Sequence, residues 1–223
     1  MQFDIITIFP ETTETYTGAS ILGRAQKKKL LKITAHDLRS FSKDKHEKVD
    51  DTPYGGGAGM VMTVQPIDLA VKKIKKRRGK TRVIVTSASG KTFTQKDAKR
   101  LAEYDQLIFI CGRYEGIDAR VEEEIADESL SIGNYVLTGG ELPAMVMTDS
   151  IARMIPGVLG SAESLKMESH DEEGLLEYPQ YTKPEVYEIR KGLRKKKLIV
   201  PPILLSGNHK EIEKWRKEQS KKR

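Results

Sequence analysis

The chain has 223 residues, 38% hydrophobic and 32% charged, which suits one substantial globular domain with room for a small second one. A single cysteine, Cys111, excludes an internal disulfide and points to a reducing, cytoplasmic compartment, and no apolar run reaches membrane-spanning length, so no membrane role is expected. The net charge of +7 is uneven: Arg190 to Arg223 holds 13 Lys or Arg against 3 Asp or Glu, a net of +10, leaving −3 for everything before it, so this segment either meets a polyanion or is a solubilising tail.

Taken in order, Phe3–Phe9 reads as a buried strand stopped by Pro10. Asp4 inside it, and the lack of a basic lead-in, argue against a signal peptide. Thr12–Lys29 is helical in character, interrupted around Gly18 and Gly23, and Leu30–His36 is a second strand. Asp37 to Val61 is polar and glycine-rich, a long loop of the kind that carries function. Thr63 to Arg78 is a helix, with Thr63 as cap, Pro66 in the first turn and Ile67, Val71 and Ile74 as its apolar stripe. Arg82–Ser87 is a strand, Thr94 caps a helix over Gln95–Tyr104, and Leu107–Cys111 is another strand. A helix over Asp118–Asp127, a short strand at Leu130–Ile132 and a helix over Glu141–Ile155 follow. Strands alternating with helices imply an α/β fold, a parallel sheet with helices on both faces.

Past Pro156 the pattern changes. Ser161 to Glu177 is acidic and poor in apolar residues, which reads as an interdomain linker. The expected organisation is a main domain over 1–160, a flexible linker over 161–183 and a small basic helical domain over 184–223. That last domain reads as helical from Pro184, broken at Val200-Pro201-Pro202, and closed by a helix carrying Trp215.

Several motif matches fail. Ala88-Ser89-Gly90-Lys91-Thr92 ends like a phosphate-binding loop, but the first glycine it needs would fall on Val85. Gly55-Gly56-Gly57-Ala58-Gly59 would need its next glycine at Met60, and no strand precedes it. His36, His46, His170 and His209 pair with no cysteine at metal spacing, so no structural zinc site is expected. Cys111 ends an apolar strand and reads as a packed thiol rather than a nucleophile. What remains is a pair of glycine loops, Gly112–Gly116 and Ile132–Pro143, beside a third strand end at Val85–Gly90. Either these are only turn glycines, or they line a cleft at strand carboxyl ends. Such a cleft, rich in backbone groups and poor in charge, suits a planar hydrogen-bonding ligand such as adenine better than a pyrophosphate.

Five runs carry a resemblance: Val49–Met60, Cys111–Asp118, Ser131–Ala144, Ile155–Gly160 and Leu204–His209. In this order they resemble the bacterial tRNA (guanine-N1)-methyltransferase family, over residues 1 to about 219. The resemblance implies a SPOUT fold with a deep trefoil knot, S-adenosylmethionine as methyl donor and a homodimer with its active site at the subunit interface. It implies methylation of tRNA at N1 of the guanosine just 3′ to the anticodon, position 37, and a magnesium (Mg2+) dependence for which no ligand motif stands out. Carried across, Ser87, Gly112, Tyr114, Gly116, Ile132, Gly133, Asn134, Tyr135, Val136, Leu137, Gly139, Gly140 and Pro143 would line the donor pocket.

Guanine N1 holds a proton at neutral pH, so the chemistry needs a general base near N1 and a cation near O6. By resemblance Arg153 is that cation. The family's Asp-Ser-Phe run is one residue longer here, Glu168-Ser169-His170-Asp171, so the base is Glu168 or, with the extra residue placed elsewhere, Asp171. Arg190–Lys197, within an extra basic insert over Tyr187–Leu198, is expected to hold phosphates. Two other readings stay open: a SPOUT RNA methyltransferase of different specificity, and an RNA-binding module with impaired catalysis.

Overall fold

The computed structural model describes residues 1–160, 176–191 and 194–220. The chain divides into two compact units, Met1–Ala162 and Glu163–Arg223.

The first unit is an α/β layer structure. It runs β1 (Gln2–Thr7), α1 (Pro10–Thr17), α2 (Ser20–Lys27), β2 (Lys32–Asp37), a 3₁₀ turn (Leu38–Phe41), β3 (Asp50–Asp51), β4 (Val61–Met62) and α3 (Val64–Ile74). It continues through β5 (Thr81–Thr92), α4 (Gln95–Leu101), β6 (Gln106–Cys111), α5 (Ala119–Glu124), β7 (Glu128–Ser131) and α6 (Glu141–Ala152). Five strands form one parallel sheet in the order β2-β1-β6-β5-β7. β6 lies at the centre and all six of its residues are buried, as an apolar run flanked on both sides must be.

The pleat sends alternate residues to opposite faces. Phe3, Ile5, Ile84, Leu107 and Phe109 pack on one face with Leu22 of α2, Leu101 of α4 and Met147 and Ile151 of α6. Ile6, Val83, Val85, Ile108 and Ile110 pack on the other with Ile67 and Val71 of α3 and Val121 of α5. Each such side chain contributes about 1.5–3 kcal/mol through burial, so the two cores fix the sheet and with it the strand ends.

Some expectations need adjustment. The first helical stretch breaks at Gly18, between α1 and α2, but Gly23 sits inside α2. A Cβ on Gly23 would lie 2.1 Å from the Gly18 carbonyl oxygen, so that glycine serves close packing instead of a break. Thr63 does not cap α3 through its side chain; its hydroxyl donates to the Val49 carbonyl at 3.2 Å, tying the end of the long loop to the helix start. Thr94 does cap α4, in a reciprocal box with Asp97. Lys91, the lysine of the failed phosphate-loop match, lies in β5 and donates to Asp97 at 2.9 Å.

The second unit corrects the expectation of helix from Pro184. β8 (Val186–Lys191) and β9 (Arg194–Ile199) form an antiparallel hairpin, followed by a 3₁₀ turn (Pro202–Leu205) and α7 (His209–Gln219). Val186 pairs with Ile199, Tyr187 with Leu198 and Glu188 with Lys197. β-branched and aromatic residues meeting across strands, with opposite charges next to them, favour the ladder over a helix. In α7, Trp215 lies 6.4 Å from Tyr181 and Arg216 stands over the Tyr178 ring at 5.0 Å. Among the described residues, no helix is long and apolar enough to cross a membrane.

Candidate active site

The carboxyl ends of β5, β6 and β7 open into loops that surround a cleft of about 420 Å³, within the size range of small-ligand sites. β5 contributes by interruption: Thr86 and Lys91 both face Leu130 of β7, so residues 87–90 loop out of the ladder. Ser87 and Ser89 share a 2.9 Å hydrogen bond in that bulge. The loop after β6 turns at Tyr114, a non-glycine residue at φ 60°, and at Gly116, φ 137°. It is braced by the end of the long polar loop, since Glu115 N donates to Met60 O at 3.0 Å and Met62 N to Gly116 O at 2.9 Å.

The segment after β7 then passes back over the strand ends. Gly140 N donates to Gly112 O at 2.9 Å. A Cβ at Gly140 would fall 2.1 Å from Thr86 Oγ1 and 2.8 Å from both Cys111 Cα and Gly112 N. Only glycine lets this segment lie against β5 and β6 at once. Gly133 performs a similar task for Tyr135, whose ring would be 2.5 Å from a Cβ there.

Of the thirteen residues expected around the donor, Ser87, Gly112, Tyr114, Gly116, Ile132, Tyr135, Val136, Leu137, Gly139, Gly140 and Pro143 line this cleft. Gly133 and Asn134 belong to the same loop but not to its lining. Val136 is 84% exposed and Tyr135 55%, which leaves apolar surface open at the mouth.

The charged residues here form no recognisable motif in the sequence. Glu141, only 1% exposed, accepts from Thr7 Oγ1 at 2.6 Å and from Arg113 Nε at 3.0 Å. Arg113 also donates to Thr138 O at 3.3 Å and stands over the Phe9 ring at 4.7 Å. This ion pair, with its carboxylate buried and its arginine on the cleft wall, ties β1, the loop after β6 and the start of α6 together. The available signal was one arginine and one glutamate, each inside a glycine loop. Glu115 and Glu122 line the cleft with Arg113, which leaves its lining with a net negative charge. Cys111 is fully buried, and burial pushes its thiol up, so it offers no nucleophile.

Arg153 lies elsewhere. It follows α6 and lines a second pocket of about 290 Å³ with Tyr16, Gln95, Val146, Asp149, Ser150 and Met154. Tyr16 donates to the Asp149 carboxylate, and that bond raises its hydroxyl pKa. The structure therefore brings the donor-side residues together but does not place Arg153 among them. Glu168 and Asp171 lie outside the described residues.

Comparison with known proteins adds to this geometry. The family model described as tRNA (Guanine-1)-methyltransferase TrmD matches residues 1–223. A protein named tRNA (guanine-N(1)-)-methyltransferase from Ruminiclostridium cellulolyticum is 54% identical over 221 residues, 99% of this chain and 91% of that protein. Proteins of the same name from Lachnospira eligens and Dictyoglomus turgidum are 51% and 50% identical, covering 90% and 86% of their own lengths. With likeness running the whole length of the chain, and not only through the loops around the cleft, the chain belongs to the tRNA (guanine-1)-methyltransferase family.

Proposed function

We propose that the chain transfers a methyl group from S-adenosylmethionine to N1 of the guanosine 3′ to the anticodon, position 37, in tRNA. The observation that carries this reading is the closure of Gly140 on Gly112, which gathers three glycine-bearing strand ends into one cleft. The cleft suits the donor in kind. Backbone amides and carbonyls and the Tyr135–Leu137 wall fit an adenosine, and Glu115 and Glu122 complement a cationic amino acid moiety. Bound there, the donor supplies an electrophilic methyl group from its sulfonium.

The protein's own part is orientation and proton movement. Arg153 holds guanine O6 and stabilises the charge that forms there as N1 loses its proton. Glu168 or Asp171 takes that proton. The target base must leave the anticodon stack, because its Watson–Crick edge has to face the donor. The described residues contain no cluster of three or more His, Cys, Asp or Glu side chains that would fit magnesium, so no step is derived through that ion.

The return of the chain from β7 through the Gly112–Gly140 contact is consistent with the trefoil knot of the SPOUT class. A homodimer is part of the proposal. Tyr16 of α1, Ile21 of α2 and Leu142 and Val146 of α6 are large apolar residues, 38–53% exposed, and a second copy would cover such a face. The basic hairpin, with Arg190 and Lys195–Lys197, is assigned to tRNA phosphates, and a reducing cytoplasmic setting fits.

Methyl transfer to paired transcripts, with G or A at position 37, tests the reading. Labelling of the G transcript alone is expected; equal labelling of both, or of neither, rejects it.

A further inference from the structure

The turn between α3 and β5 concentrates positive charge in a unit that is otherwise acidic. Lys72 to Arg82 includes eight Lys or Arg and no Asp or Glu, while the rest of residues 1–160 holds sixteen Lys or Arg against twenty-one Asp or Glu, a net of −5. Within this run Lys72 pairs with Asp68, Lys73 stands over Phe41 and Arg82 pairs with Glu128. Lys75, Lys76, Arg77, Arg78 and Lys80 are exposed and have no ion-pair partner among the described residues. Five uncompensated cations this close repel one another, a cost that an anionic partner would remove.

The turn is also held in place. Lys76 N donates to Gln106 Oε1 at 2.9 Å and Lys80 N to Asp105 Oδ2 at 2.8 Å. Gln106 is fully buried, and its amide donates to Asp4 at 2.7 Å and to Ile74 O at 3.1 Å. Two bonds, one to the buried Gln106 and one to the exposed Asp105, thus anchor the backbone of the turn to the amino end of the sheet, so its cations project from a fixed base. Beside it lies a groove of about 500 Å³ walled by Lys75, Lys76, Lys80, Arg82 and Tyr104, with Glu103 as its one carboxylate.

Charge presented this way fits a chain of regularly spaced phosphates, and Tyr104 adds a flat aromatic wall. A lipid surface fits less well, because none of the large exposed apolar residues falls between Tyr54 and Tyr114 to insert into it. The turn sits at the amino ends of β5 and β6, and the cleft at their carboxyl ends, six paired residues away. At ~3.3 Å per residue that is about 20 Å, farther than a single nucleotide seated in the cleft extends.

We propose that the Lys75–Lys80 turn is a second RNA-docking surface, which grips the phosphodiester backbone of the substrate tRNA outside its anticodon arm. This rests on the tRNA reading above. The test compares wild type with a variant carrying Lys75→Gln, Lys76→Gln, Arg77→Gln, Arg78→Gln and Lys80→Gln. Equilibrium binding of full-length tRNA, of an isolated anticodon arm and of anionic vesicles is measured across a salt series. Full-length tRNA should bind the variant at least about tenfold more weakly, and the slope of log affinity against log salt should flatten by ~3.5–4.5, as expected for five lost phosphate contacts. Binding of the anticodon arm, and kcat at saturating tRNA, should not change. A second variant exchanging each Lys for Arg and each Arg for Lys should bind like wild type, which separates loss of charge from misfolding. Unchanged binding of full-length tRNA to the glutamine variant overturns the proposal. So does an equal loss for arm and full-length tRNA, or a loss confined to anionic vesicles. If wild type binds tRNA in this way yet labels G and A transcripts alike, the methylation reading fails and the docking surface stands.

Discussion

Replacing Gly140 by alanine would place a Cβ 2.1 Å from the Thr86 hydroxyl and 2.8 Å from Cys111 Cα. The backbone there, φ −83°, suits any residue, so the demand for glycine comes from space alone. Both neighbours belong to the buried strands β5 and β6 and cannot retreat. Overpacking of this kind costs about 1–3 kcal/mol, and relief would require the Ile132–Pro143 loop to lift from the cleft. Gly140→Ala should therefore lower the denaturation midpoint and weaken S-adenosylmethionine binding at least about tenfold by calorimetry; donor affinity equal to wild type would contradict this account of the loop. At this scale the sequence was informative where glycines cluster after strands. It was silent on Arg113 and Glu141, because an ion pair between positions 28 apart becomes visible only when the fold joins their loops.

Asp97 shows how much an element can rest on one side chain. Burial alone would raise its pKa, but hydrogen bonds from Lys91, Thr94 and Arg100 hold it at about 2, below the ordinary 3.8. It caps α4, and through Arg100 it is linked to Glu128 on β7, whose carboxyl is also held low, against burial, by Arg100 and Arg82. Because the folded-state pKa is depressed, the unfolded chain takes up its proton first as pH falls. The stabilisation is present above about pH 4 and is lost as pH drops toward 2. Its size is at most about 2 kcal/mol, since Lys91 is 67% exposed and solvent screens its share. Melting temperature followed from pH 5 to pH 2 should fall less steeply for Asp97→Asn than for wild type, and matching slopes would remove Asp97 from the acid response. The Thr94 cap was legible because its signal is local, a threonine directly before a helical stretch, whereas the reciprocal part of Asp97 emerged with the structure. The β8–β9 hairpin was not, because its stabilising pairs, Val186 with Ile199 and Tyr187 with Leu198, lie up to thirteen positions apart and only the basic run between them stands out.

For the molecule as a whole, the separation of Arg153 from the cleft matters most. Both ends of α6 take part: Glu141, at its start, is buried under the cleft, and Arg153, just past its end, faces the pocket with Tyr16 and Asp149. Twelve helical residues at ~1.5 Å each put about 18 Å between those ends. On the proposed assignments, the cleft and Arg153 of one copy therefore stand apart, and a second α6 nearby would bring them to the same guanine. The proposed homodimer would supply it: a two-fold axis across the exposed Leu142–Val146 face would lay one α6 beside the other and turn each Arg153 toward the partner's cleft. The strands and the layering of helices on both faces were readable from apolar runs, but the order β2-β1-β6-β5-β7 was not, and a site shared between subunits was expected only from the family resemblance, since no local pattern records which subunit completes a site. Mixing a donor-defective Gly140→Ala chain with an Arg153→Ala chain tests the arrangement. At a donor concentration that saturates wild type but lies well below the Kd of the Gly140→Ala chain, each homodimer should be largely inactive, but mixed dimers would hold one site with an intact cleft from one chain and an intact arginine from the other. Random exchange of equal amounts should return about a quarter of wild-type methyl transfer. If mixed dimers form and no activity returns, both halves come from a single chain and the second subunit has another purpose.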